Sequence, residues 1–165
     1  MAKLIKNRAF VENDKWHRAA DDQPVNEYSI ITLERWNAEH HDLQRFASAG
    51  KLGLWLSSEQ TIEQFEGVFR NFGVIAIDFP KFTDGRGYSA ARLLRERLEY
   101  SGEIRATGDV LIDQLFFMQR VGFDAFELRD DQDEAEALKA FTTFSNPYQG
   151  DVADQRPLFR RQARG

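Results

Sequence analysis

The chain has 165 residues, 42% hydrophobic and 30% charged, with 27 acidic against 22 basic side chains and a formal charge of −5. That length fits one domain with a real core, and the acidic balance argues against a dedicated nucleic-acid binder. There is no cysteine, which excludes disulfides, zinc–thiolate sites, iron–sulfur ligation and cysteine nucleophiles within this chain.

The start, MAKLIKNRAF, lacks the apolar run of a signal peptide. LIKNRAFV alternates weakly, as a hairpin arm ending near Asp14 and Trp16 would. Residues 1–26 are therefore read as an N-terminal β arm. Ala20–Glu27 is a polar connector, and Tyr28–Ile31 reads as a short strand. Thr32 is placed to cap a helix with Leu33, Trp36, His40, Leu43 and Ala47 on one stripe, stopped by Gly50. Leu52–Leu56 is a strand, and Ser57 or Ser58 would cap a helix carrying Ile62, Phe65, Phe69 and Phe72. Val74–Asp78 is the most apolar strand, followed by a helix from about Ser89 to Glu99. Glu103–Thr107 is a strand, and Asp109 reads as the cap of a nearly all-apolar helix stopped by Gly122. Asp124–Leu128 is the last strand, with Asp131 and Glu134 spaced as a capping box for a helix bearing Leu138, Phe141 and Phe144.

About five βα units thus follow one another, with short and nearly continuously apolar strands, as in a parallel sheet flanked by helices. Five units are too few for a closed eight-stranded barrel. The expected fold is α/β, either a doubly wound open sheet of flavodoxin or Rossmann type, which is favoured, or an open partial βα barrel. One domain over residues 1–145 is expected, with a polar tail over 146–165 holding Arg156, Arg160, Arg161 and Arg164. The tail reads as a flexible terminus. No window approaches the roughly 20 apolar residues of a membrane span. A cytoplasmic protein without membrane or nucleic-acid partners is the expectation.

Ligands of parallel α/β proteins gather at the carboxyl ends of strands. The richest such connection here is AIDFPKFTDGRGYSAARLLRER. Gly85 and Gly87 free the backbone, amides at the start of the next helix attract anions, and Lys81 and Arg86 add charge. Lys81, Thr83, Gly85, Arg86, Gly87, Tyr88 and Gly108 form a candidate site for a small oxyanion. Asp84 and Asp109 are the candidate catalytic carboxylates. The same residues also fit a surface turn in which Asp84 pairs with Arg86. Asp109 and Asp113, one turn apart, fit capping and the helix dipole as well as acid–base work, and capping is favoured. His40 and His41 point about 100° apart on a helix, so no metal site is expected. With no GxGxxG or P-loop, no NAD, flavin or iron–sulfur motif is found and the cofactor stays unassigned.

The stretches AIDFPKFTDGRGYSAARLLRERL, EIRATGDVLIDQLFFMQRVGFDAFELRDDQD and LIKNRAFVENDKW together resemble a bacterial family of unknown function. Its members carry an oxidoreductase label tied to sulfite reduction and are encoded near sulfite reductase. The matching positions include Asp78, Lys81 to Tyr88, Gly108, Asp109, Asp113, Gln114 and Glu127. The resemblance implies a role in assimilatory sulfur metabolism, as an accessory protein with sulfite reductase or its electron donor as partner. An alternative is a small enzyme or binding module for an anion at the Lys81–Tyr88 loop.

Overall fold

The computed structural model of the chain describes residues 3–143 apart from 61, 63–66 and 68. The first two strands, β1 (Lys3–Lys6) and β2 (Ala9–Phe10), form the expected hairpin. Its two turn residues, Asn7 and Arg8, both hold positive φ, 56° and 63°. That geometry matches the right-handed twist of the paired strands. A short strand β3 (His17–Arg18), absent from the sequence reading, then pairs with β4 (Ser29–Thr32). Alternation follows: α1 (Leu33–Ser48), β5 (Leu52–Leu56), β6 (Val74–Phe79), α2 (Arg86–Glu96), β7 (Glu103–Gly108), α3 (Ile112–Val121), β8 (Ala125–Leu128) and α4 (Glu134–Thr143).

Among the described residues, eight strands form one sheet in the order β2-β1-β8-β7-β6-β5-β4-β3. From β3 to β8 every neighbour is parallel, and β1 joins β8 antiparallel. The order corrects the favoured reading. A doubly wound sheet needs a point where strand order reverses; here each crossover steps one place in the same direction. Right-handed crossovers then send their helices to the same face. Covered on one side only, the sheet curls into a mixed half-barrel. The α/β alternation stands, and the open partial barrel is the form it takes.

The helix-covered convex face is hydrocarbon. Ile31, Leu52, Leu54, Ile75, Ile104 and Leu128 are each completely buried there. Opposite them, on the concave face, Trp16, Ile30, Val74 and Ala76 form a separate small cluster with Tyr28 and Trp55 against it. Residues 11–16 connect β2 at one edge of the sheet to β3 at the other. They cross the concave face as a strap.

Local signals were met unevenly. Thr32 caps α1, its Oγ1 accepting from the Arg35 amide at 3.2 Å, and Gly50 (φ 71°) and Gly122 (φ 124°) end α1 and α3. Asp109 is not the cap of α3. That helix begins three residues later, and the Ile112 amide donates to Gln132 Oε1 at 3.1 Å. The cap of α4 is Asp133, accepting from the Glu136 amide at 2.9 Å, and not Asp131. Helix α2 starts at Arg86, one turn before the predicted Ser89. Of the helix predicted around Ile62 and Phe72, part lies outside the described residues, and Phe69–Asn71 is a 3-10 turn. Phe144 and the tail over 146–165 also lie outside them. Among the described residues no helix is long and apolar enough to cross a membrane.

Candidate functional site

Strand β7 reads Glu-Ile-Arg-Ala-Thr-Gly. Alternation sends Ile104 and Ala106 to the helices and Glu103, Arg105 and Thr107 to the concave face. These three are buried at 7%, 2% and 9% exposure, and Ser29 is the other buried polar residue among those described. One strand therefore supplies most of the polar burial among the described residues.

The partners of Arg105 come from distant parts of the chain. Its Nε donates to Glu103 Oε2 at 2.8 Å, and its two Nη atoms donate to the Asp14 carboxylate at 2.7 and 3.2 Å. Nη1 also lies 3.4 Å from Glu127 Oε2 on β8. Lys6 on β1 completes the set, donating to Glu103 Oε1 at 2.7 Å. Burial alone would lower the Arg105 pKa, but the hydrogen bond to Asp14 and the charge of Glu103 overcome it and hold the guanidinium above its ordinary value. Glu127 is pushed up by burial, against the pull of Arg105. Because Asp14 lies in the strap, this network fastens the strap to the centre of the sheet.

Between strap and sheet lies a cavity of about 730 Å³ whose lining includes Leu4, Trp16, Arg18, Ile30, Arg105 and Glu127. That volume suits a small organic ligand. Further toward the strand carboxyl ends, the Arg18 guanidinium lies 4.4 Å over the Trp55 ring. Asp78 sits on the same face of β6, with Thr107 Oγ1 3.5 Å from its carboxylate. Burial raises the Asp78 pKa, while the Thr107 hydroxyl and the Arg18 charge oppose it. Barrel enzymes carry their chemistry at this end of the strands.

The rim predicted from sequence is a real place in the fold. Strands β6, β7 and β8 are neighbours, and the loops after them are laced together. Asp109 Oδ2 accepts from the Phe82 amide at 2.8 Å, and its Oδ1 pairs with Arg129. Gln114 Nε2 donates to the Phe82 carbonyl at 2.9 Å. Gly108 (φ 92°) is required there, since a Cβ would stand 2.4 Å from the Phe79 carbonyl oxygen.

Within the rim, individual residues are committed to one another. Asp84 accepts from the Arg86 amide and Nε, both at 3.0 Å, and from Nη2 at 2.7 Å. A carboxylate thus already occupies the start of α2. Gly87 lets that helix approach the sheet, as a Cβ would stand 2.5 Å from the Phe79 ring. Tyr88 packs between Phe79 and Phe117, and burial raises its phenol pKa. Lys81, Thr83 and Gly85 are exposed, and Gly85 has open space around its Cα. Hydrogen bonds from Arg86 and Arg129 hold Asp84 and Asp109 below the ordinary carboxylate range. A smaller cavity of about 280 Å³ lies beside Arg86, lined also by Ser58, Glu59 and Ser89.

Elsewhere, His17 Nε2 lies 3.1 Å from Ser29 Oγ, and His40 stacks by Trp36. Among the described residues no cluster of three or more His, Asp or Glu side chains is arranged to hold a metal. Sequence reasoning missed Asp14, Arg18, Glu103 and Arg105. The signal was present in the alternation of EIRATG, which a nearly continuous apolar reading overlooked.

This arrangement defines an α/β half-barrel with a polar cavity on its open face. The chain belongs to a family of bacterial proteins of unknown function (DUF934), whose model matches residues 53–159. No curated protein matches it.

Proposed function

We propose that this protein binds a small molecule on the concave face of its half-barrel and serves assimilatory sulfite reduction as an accessory protein to the reductase. The observation that carries the binding reading is the buried network around Arg105 beneath a cavity of about 730 Å³. Replacing a buried ion network with hydrocarbon is commonly neutral or stabilising. A sheet face that keeps such charges beside open space has the make-up of a ligand site.

The sulfite reading is supported by the resemblance to a family carrying that label. Sulfite reduction draws six electrons through a siroheme and an iron–sulfur cluster, and this chain has no cysteine to hold the cluster. A place beside the reductase or its electron donor follows. Tagged full-length protein should co-purify the reductase, and a deletion strain should fail on sulfate and recover on sulfide. Absence of association together with normal growth on sulfate would refute the role.

The alternative of an anion site at the Lys81–Tyr88 loop draws less support, because Asp84 neutralises Arg86. If the protein turns over its ligand, Asp78 suits proton transfer better than Asp84 or Asp109. Its proton affinity is raised where theirs is lowered.

A further inference from the structure

Arg105 is saturated by three carboxylates, yet Arg18, on the same face, is not. Among the described residues its guanidinium makes no hydrogen bond or ion pair; it rests on the Trp55 ring and is open to solvent. The charges of Asp78, Glu127 and Asp21 all reach it, and Asp21 already accepts from the Thr32 hydroxyl. Neither of the first two spends itself on Arg18. Asp78 takes a long hydrogen bond from Thr107, and Glu127 touches Arg105 through one oxygen. One cation without a hydrogen-bond partner therefore rests on an aromatic plate, with Glu127 across the cavity that both line and Asp78 further along the same sheet face.

A simple oxyanion would satisfy Arg18 but would meet repulsion from Asp78 and Glu127. A simple amine would satisfy the carboxylates and leave Arg18 unpaired. A ligand carrying both charges a few ångströms apart satisfies all three. Its carboxylate suits the planar donor fork of a guanidinium. An ammonium brings three donors and needs more than one acceptor. Resting on the small-molecule reading of the concave face, we propose that the ligand is a zwitterionic α-amino acid, its carboxylate on Arg18 and its ammonium shared by Asp78 and Glu127. Ile30 and Trp16 in the cavity lining leave an apolar wall for a side chain.

The test is titration of the full chain with the standard L-amino acids, acetate, ethylamine and inorganic sulfite, read by tryptophan fluorescence and by melting temperature. At least one amino acid should bind and alter the Trp55 emission, a change lost in Trp55→Phe. Acetate, ethylamine and sulfite should each bind at least tenfold more weakly. Arg18→Gln, at an exposed edge position, and the near-isosteric Asp78→Asn should each weaken amino-acid binding at least tenfold while keeping the circular-dichroism spectrum of the parent. Amino-acid binding unchanged by both substitutions would overturn the proposal. So would acetate or sulfite binding as tightly as any amino acid in an Arg18-dependent way; the concave face would then remain a ligand site and only the zwitterion would be wrong. No binding by any of these probes or by a broader metabolite panel would overturn the small-molecule reading as well.

Discussion

The two faces of one sheet are built from opposite materials. On the convex side, Ile75, Ile77 and Phe79 of β6 point into helices and are at most 1% exposed. On the concave side, the same strand presents Val74, Ala76 and finally Asp78, and its neighbour β7 presents Glu103, Arg105 and Thr107. On that face β6 grades from apolar to polar, and β7 is polar throughout. Hydrocarbon on the convex face stabilises through burial, which has no direction. The concave face depends on specific geometry, because a buried ion is tolerated only while its partners stay in place.

Six substitutions sharpen this contrast. The largest losses should come from Phe79→Ala and Arg105→Ala, each about 3–5 kcal/mol, one by leaving a cavity and the other by stranding buried carboxylates. Urea unfolding separates them by pH. The Phe79→Ala loss should persist in acid, whereas that of Arg105→Ala should shrink as carboxylates lose their charge. Equal pH dependence would erase the distinction between the faces.

Next comes Gly87→Ala, which would force a Cβ to within 2.5 Å of a Phe79 ring that is itself 1% exposed. A loss of about 1–3 kcal/mol is expected. Gly85→Ala, two residues away in open space, should stay within about 0.5 kcal/mol. Similar losses at both glycines would show that the loop, and not the helix-to-sheet contact, sets the requirement.

A smaller effect of opposite sign is expected at Asp78. Its folded pKa is raised above the ordinary 3.8. As pH rises past that value the unfolded chain releases the proton first, so stability falls until the folded group also ionises. Asp78→Asn removes this penalty. The substitution should raise the urea midpoint near neutral pH and leave it nearly unchanged well below 3.8, a gain in stability at the expense of the site. The last change is Arg8→Gly, which relieves a positive φ in the hairpin turn and, net of glycine's entropic cost, should add about 0.5–1 kcal/mol.

Local punctuation was the most legible part of the sequence. Thr32, Gly50 and Gly122 sit where capping chemistry puts them, because those signals act within one turn of chain. Strand order was not legible. Nothing in VIAID or EIRAT says on which side its neighbour lies, so sequential and doubly wound sheets read alike until pairing is known. Asp109 was misassigned because its partners, Phe82 and Arg129, lie far along the chain. Its spacing before an apolar run resembled a cap only locally. Arg105 could have been found: a charged residue flanked by Ile104 and Ala106 in a covered strand demands a partner. That the partner is Asp14, in a strap arriving from the other end of the chain, no local pattern reveals.

A curved sheet that stops halfway leaves two lateral borders where another chain could continue the ladder. Among the described residues each border is a strand of only two residues, Ala9–Phe10 on one side and His17–Arg18 on the other. So little unpaired main chain is on offer that a second molecule gains few hydrogen bonds by adding itself there. The half-barrel can therefore keep its hollow open to solutes without recruiting copies of itself to close the ring.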